Sequence, residues 1–334
     1  MDTVTLTMKN LPALYLEAET ISPDQFAAKS PAEIGKLSAY MGNEHHTLGD
    51  FFEIAGNPGK TAADTKIVVT GDLSKVKYIG MKMTAGEIEV LGNTDMYVGA
   101  WMAGGTIRVK GNVDSFCGMG MTGGELLIAG NARNYLGAAY RGDWRGMQGG
   151  KIVVGGNAGS DLAFFMRGGE ITIGGDVDVH VATHAEGGKV IIKGNAKSRV
   201  GGQMVKGDIY VFGEIERMMP SYKYIGDEQI EVNGTSGTFQ VWIGDLGERH
   251  GKRKGETIYG KIYLKVKEAE EKEGSTRVSR KIKLTDAQMQ SVSEAFAGKE
   301  PSVSNVKAFI QESFGIEMKP MQISRLIDEI RRKA

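Results

Sequence analysis

One stretch concentrates the side chains able to do chemistry: AAYRGDWRGMQGG, from Ala138 to Gly150. Two arginines, an aspartate and a tryptophan stand there among glycines. Tryptophan and arginine are the residues most enriched at binding hot spots. A catalytic role would instead require a general acid, a base or a metal nearby. Other candidates are sparse. His45 and His46 are adjacent and poorly placed to share one metal, while His180 and His184 lack an obvious third ligand and read as surface residues. Cys117 is the single cysteine, which excludes an internal disulfide and any cysteine-ligated zinc or iron–sulfur site built by this chain alone. GMGMTG, Gly118–Gly123, matches the dinucleotide spacing G-x-G-x-x-G, but the strand-like ELLIAG follows it where a helix is needed. Motifs of the forms HExxH, G-x-x-x-x-G-K-[ST] and G-x-S-x-G are absent.

The frame that positions these residues is a repeat. Strand-like runs ending in Gly-Asn or Gly-Asp recur as IVVTGD, IEVLGN, IRVKGN, LLIAGN, IVVGGN, ITIGGD and VIIKGN, with IYVFGE as a degenerate last copy. Their final residues are Asp72, Asn93, Asn112, Asn131, Asn157, Asp176, Asn195 and Glu214, so the intervals are 21, 19, 19, 26, 19, 19 and 19. A fixed period of this kind signals a solenoid. Each copy opens with in-out alternation and closes on a turn where Gly supplies positive φ and Asn or Asp bonds its own backbone. Such a unit cannot bury its face alone. Coiling it to stack like strands in parallel predicts an all-β fold, a right-handed parallel β-helix of about eight 19-residue turns, each rising ~4.8 Å.

Aligned copies assign the columns. One inward column runs Ile67, Ile88, Ile107, Leu126, Ile152, Ile171, Val190, Ile209, and a second runs Val69, Val90, Val109, Ile128, Val154, Ile173, Ile192, Val211. A third stacks Ile79, Val98, Cys117, Leu136, Leu162, Val181 and Val200, which makes Cys117 a core residue. A methionine column (Met83, Met102, Met121, Met147, Met166, then Ala185, then Met204) reads as corner packing rather than a soft-metal site. The outward column Val68, Glu89, Arg108, Leu127, Val153, Thr172, Ile191, Tyr210 holds no carboxylate cluster of the kind β-helical polysaccharide-cleaving enzymes carry. It is half apolar, so we expect it to be covered by another segment or another protein. Tyr78, Tyr97, Phe116 and Tyr135 form an aromatic stripe, either simple stacking or a docking surface, and the same column continues as Asp161, His180 and Arg199.

Against this alignment, Tyr140–Gly146 are seven extra residues, the source of the 26-residue interval. Tyr140, Arg141, Asp143, Trp144 and Arg145 therefore project from a regular cylinder beside the end of the stripe. Two readings stand: a loop folded over its own solenoid with Arg–Asp pairing, or a loop that docks a partner. Tyr78, Tyr97, Phe116, Tyr135 and these five are the candidate interface. No catalytic, cofactor-binding or metal-binding residue is assigned.

The remaining organisation follows from composition. Residues 1–66 fall outside the repeat and read as an N-terminal cap region, with SPAEIGKL a capped short helix carrying Pro at its first position. Residues 67–214 are the repeats, 215–266 a C-terminal cap region and 267–281 a charged linker. Residues 282–334 are three short helices, the last two spaced like a helix-turn-helix pair. From Arg277 onward 11 basic and 7 acidic residues give +4, a weak nucleic-acid signal, and a tethered docking module is the favoured reading. Across all 334 residues Lys+Arg and Asp+Glu both total 41, so nothing global points to nucleic acid or an anionic membrane. The N-terminus lacks signal-peptide character, no run reaches the ~18 apolar residues of a membrane helix, and cysteine usage fits a reducing cytoplasm.

The repeat and the insertion together resemble a known family. LGDFFEIAG, MTAGEIEVLGNTDMYVGAWMAGG, YRGDWRGMQGGKIVVGGNAG, FMRGGEITIGGDVD and YKYIG are similar to segments of the formylmethanofuran dehydrogenase C subunit, itself related to the G-x-G-x-G repeat domain ending the glutamate synthase large subunit. The resemblance covers most of residues 1–265 and stops before the tail. It implies membership of an archaeal complex that reduces CO2 and formylates methanofuran, the first step of methanogenesis from CO2. It also implies partners: a molybdenum or tungsten pterin redox subunit, iron–sulfur subunits, and an amidohydrolase-like subunit with its own metal site. The present chain would be a non-catalytic scaffold among them. A related formyltransferase/hydrolase complex has a similar C subunit, and a glutamate-synthase-type structural domain is the other alternative.

Overall fold

In the computed structural model ten strands lie side by side in parallel: Asp2–Met8, Thr65–Thr70, Glu87–Val90, Thr106–Val109, Glu125–Ile128, Lys151–Val154, Glu170–Ile173, Glu186–Ile192, Lys206–Val211 and Gly260–Lys265. The structure describes residues 1–266, 284–296 and 302–316 and positions 323, 326 and 327. The chain is predominantly β, with a few short helices. Register is set by the repeat: Ile67 pairs Ile88, Ile88 pairs Ile107, and Leu126 bridges Ile107 and Ile152 across the 26-residue interval. A second ladder of single bridges runs parallel through Leu73, Thr94, Val113, Ala132, Ala158, Val177 and Ala196. Both inward strand columns, the Ile79–Val200 column and the methionine column lie in one continuous buried core.

The ladder runs further than the 19-residue period. Val4 and Leu6 of Asp2–Met8 pair with Ile67 and Val69, and Ile262 and Leu264 pair with Ile209 and Val211. These outer strands alternate as the others do, but long excursions separate them from their neighbours, so a period search cannot find them. One excursion holds the helix Pro31–Gly35, started by a reciprocal Ser30–Glu33 capping box with Pro at its first turn. The other holds the hairpin Lys223–Val232 and Thr235–Gly244. Its Val232, Phe239 and Val241 bury Ile191 and pack on Tyr210, and Asn233 at its turn donates to the Thr172 hydroxyl. The half-apolar outer column is therefore covered at this end by another segment of the chain.

Two side-chain devices fix the spacing between repeats. The Oδ1 of Asn93 accepts from the backbone N–H of Asn112, Asn112 does the same for Asn131, and the chain of acceptors continues through Asn131, Asn157, Asp176 and Asn195 to Glu214. Each asparagine thus satisfies a donor of the next repeat. The glycine before it is obligatory for a different reason: a Cβ on Gly130 would lie 2.7 Å from the Gly111 carbonyl oxygen and against Asn112 Oδ1. A second glycine of each repeat, such as Gly124 at φ +80°, faces the methyl of Met102 from the preceding repeat. That contact accounts for the methionine column as packing.

A separate unit comprises residues 268–334. Asp286–Ala295 and Val303–Phe314 are helices, and Val306, Ile310, Val292, Ile323 and Leu326 form a small core of their own. Gly315, at φ +63°, ends the second helix with its N–H on the Gln311 carbonyl. The charged linker 267–281 and most of the third helix predicted lie outside the described residues.

Close approach and hydrogen bonding should separate in their cost. Gly130→Ala should cost about 3 kcal/mol because the added methyl meets backbone that cannot withdraw. Asn131→Ala should cost about 1 kcal/mol, because the two hydrogen bonds of its side chain, from Asn157 N–H and to Asn112 Oδ1, lie at an exposed edge. Urea unfolding of the two variants checks both; equal costs would contradict the steric role of the glycine.

Candidate functional site

The insertion leaves the stack after Ala139, whose N–H still bonds the Phe164 carbonyl one repeat on. It turns through Tyr140–Asp143 with Gly142 at φ +85°, and returns where Gly146 N–H meets the Phe165 carbonyl. Register resumes at once, because Gln148 N–H bonds Met121 as Thr122 N–H bonds Met102. Seven residues are thereby spliced in without disturbing the ladder on either side.

Inside the loop, Asp143 Oδ1 accepts from the backbone N–H of Trp144 and Arg145 and from Arg145 Nε at 3.1 Å. The Arg145 hydrogen bond is the largest cause holding the Asp143 carboxyl below its ordinary value. Trp144 lies under Arg167, whose guanidinium carbon stands 4.1 Å from the ring centroid while its other end pairs with Glu186 at 2.7 Å. Tyr140 leans on Trp101 at 5.9 Å. The loop is therefore braced on its own repeats with the anticipated Arg–Asp pair. Even so, Trp144 remains 54% exposed and Tyr140 49%. Arg141 is exposed and has no ion-pair partner among the described residues.

The aromatic stripe is a stack. Tyr78 and Tyr97 lie 4.6 Å apart, Tyr97 and Phe116 5.2 Å, Phe116 and Tyr135 4.6 Å, all near-parallel. All four hold φ between +62° and +66°, a left-handed conformation costly for bulky side chains. The backbone compensates, since each of these N–H groups bonds a carbonyl of the following repeat. Burial pushes the Tyr78 hydroxyl up to about 12. Phe116 is only 7% exposed, so in this chain it spaces its neighbours, while the edges of the three tyrosines are more open to solvent.

Beyond the stripe the same column carries Asp161, His180 and Arg199 in the same left-handed conformation. His180 and His184, expected at the surface, are half-buried: His180 Nδ1 lies 3.4 Å from Asp161 and His184 stacks on Phe165 at 4.7 Å. The reason is the inter-repeat spacing, which brings ring or carboxylate of one repeat onto the next. Two cavities open here on either side of Phe164. One, about 400 Å3, lies between the insertion and Tyr135; the other, about 340 Å3, lies beside His180, Thr183 and Arg199; both touch Asp161 and Phe164. The periodic pattern located Asp161, His180 and Arg199 but gave no reason to select Phe164 or Thr183.

Cys117 is fully buried, and its thiol is pushed up to about 12 by burial. Among the described residues no group of three or more His, Cys, Asp or Glu side chains could hold a metal ion.

Known proteins place the chain. No protein-family profile matches it. The C subunit of a tungsten-containing formylmethanofuran dehydrogenase 2 from Methanothermobacter thermautotrophicus is 58% identical over 248 residues, spanning 73% of this chain and 92% of that one. The chain belongs to the family of formylmethanofuran dehydrogenase C subunits. Another tungsten-containing member, from Methanococcus maripaludis, is 45% identical over 68% of this chain and 82% of its own length. A molybdenum-containing member from Methanosarcina barkeri is 46% identical over 29% of this chain and 32% of its own. In fold, the chain matches a component of the formyltransferase/hydrolase complex of Methylorubrum extorquens, crystallised with methylofuran. The TM-score is 0.69 and the identity 24%, over 79% of this chain and all of that one. Members of this family are parts of an oxidoreductase complex.

Two outcomes follow from this geometry. The Cys117 thiol should resist a disulfide reagent at neutral pH and titrate fully only in denaturant; rapid native labelling would contradict its core position. Asp143 has a depressed carboxyl, so the order it gives the loop is present above its ordinary value of 3.8 and lost as pH falls through the lower folded value. Iodide quenching attributed to Trp144, by difference from Trp144→Phe, should be constant from about pH 8 to about pH 5 and rise only under strong acidification; a rise near neutrality would contradict it.

Proposed function

We propose that this subunit is a non-catalytic scaffold of a formylmethanofuran dehydrogenase complex, a right-handed parallel β-helix that docks the catalytic subunits. Support for the β-helix lies in two parallel ladders advancing together, one position per repeat. The supporting organisation is an N-terminal region 1–66, repeats over 67–214, a closing region 215–266, the linker 267–281 and a tethered helical module 282–334. The redox chemistry then belongs to partners: a tungsten or molybdenum pterin subunit, iron–sulfur subunits and an amidohydrolase-like subunit. The dehydrogenase is favoured over a formyltransferase/hydrolase complex by 58% identity against 24%. A cytoplasmic location suits the reading, and no helix among the described residues is long and apolar enough to cross a membrane.

The observation that carries the docking role is Trp144, braced on one face by Arg167 yet more than half exposed. A rigid, half-covered tryptophan loses little entropy when a partner covers the rest. The candidate interface comprises the edges of Tyr78, Tyr97 and Tyr135, spaced by the buried Phe116, together with Tyr140, Arg141, Asp143, Trp144 and Arg145. Replacing Trp144 and Arg145 with alanine should weaken assembly by about 2 kcal/mol or more, roughly thirty-fold in Kd, while the isolated chain stays folded. Reconstitution followed by native mass spectrometry reads this directly, and unchanged assembly would remove the docking role.

A further inference from the structure

The two cavities flanking Phe164 form one groove with a cation at each end. Both are lined by Asp161 and Phe164, so they adjoin. Arg141 lines the cavity under the insertion and Arg199 the cavity beyond His180. Neither arginine makes a hydrogen bond or ion pair through its side chain among the described residues, whereas the neighbouring Arg145 and Arg167 are both paired. Of the two acids that line the groove, Asp143 is paired with Arg145 and Asp161 lies 3.4 Å from His180 Nδ1. The groove therefore presents an unpaired guanidinium at each end and an aromatic floor between.

We propose that this groove receives an extended acidic segment of a partner subunit, with an apolar side chain over Phe164 and a carboxylate at each of Arg141 and Arg199. Charge complementarity decides the class of side chain, because a guanidinium is best satisfied by a carboxylate in bidentate geometry. The length follows from the repeat. Arg199 lies three repeats beyond Tyr135, which lines the same cavity as Arg141, about 14 Å at the parallel-strand spacing. Four or so extended residues span that distance. A protein segment fits better than a small anion: Trp144 and Tyr140 keep half their surface exposed, and only a macromolecule filling the groove would also cover them. The inference rests on the docking role of the insertion and adds to it the chemistry of what docks.

The test uses the full chain reconstituted with its complex. Arg141→Ala and Arg199→Asn are suitable variants, since neither side chain has a partner to orphan and asparagine tolerates the φ of +55° at position 199. Each should weaken association about tenfold, and the pair together should flatten its dependence on salt. If Trp144→Ala weakens assembly while the double arginine variant keeps both affinity and salt dependence, the groove proposal falls and the docking role stands. If Trp144→Ala is also silent, both fall. A second readout identifies the segment. In the assembled complex carrying Arg141→Lys and Arg199→Lys, a carbodiimide activates carboxylates and takes up the water lost as lysine Nζ forms an amide. Mass spectrometry should find both lysines joined to Asp or Glu within one short stretch of one partner. Cross-links confined to carboxylates of this chain would overturn the proposal.

Discussion

Neighbouring repeats are separated by one hydrogen-bonded strand spacing, about 4.8 Å, and nearly every residue preference in residues 67–214 answers to that distance. At such a separation an asparagine reaches the backbone N–H of the next repeat, and a Cβ on the residue before it does not fit. The corner methionines lie against a second glycine for the same reason. Aromatic rings one repeat apart are forced to stack, even where this requires left-handed backbone. The abundance of glycine reflects a sterically crowded, well-ordered stack rather than a loose chain.

Repeats stacked at this spacing leave few side-chain positions free. Inward positions are apolar, and turn positions are occupied in holding neighbours. Among the side chains outward of the strands, Glu89 is paired with Lys66 and Lys110, and Ile191 and Tyr210 are covered by the hairpin. Specialisation is left to places where the period is interrupted. The insertion after Ala139 is one, and it creates the wall of a groove that a regular turn would leave flat. In the proposed reading, scaffold and interface follow from the same constraint: regularity supplies rigidity, and one spliced loop supplies identity.

Most of the fold was legible because period, not propensity, carried it. Columns of Ile and Val at fixed intervals could be aligned without any structure, and the 26-residue interval singled out Tyr140–Gly146. The strands Asp2–Met8 and Gly260–Lys265 were hidden because helices, turns and a hairpin intervene between them and their ladder neighbours. For the site, the sequence named the residues but not their relation. Whether Tyr97 stacks or docks, and whether Asp143 faces Arg145 or a partner, depends on backbone conformation at Tyr97 and on loop closure at Gly146. Phe164 and Thr183 share a repeat position with Ala138 but no residue type, so their place at the two cavities is visible only in three dimensions.

The central claim is that this subunit serves its complex by contact, through the insertion and the groove beside it. Hydrogen–deuterium exchange on the free chain and on the assembled complex tests it most directly. Backbone amides of Tyr140–Gly142, which have no hydrogen-bond partner among the described residues, should exchange rapidly in the free chain and slowly in the complex, while the strand columns are equally protected in both. Identical exchange at the insertion in the free and assembled states would contradict it.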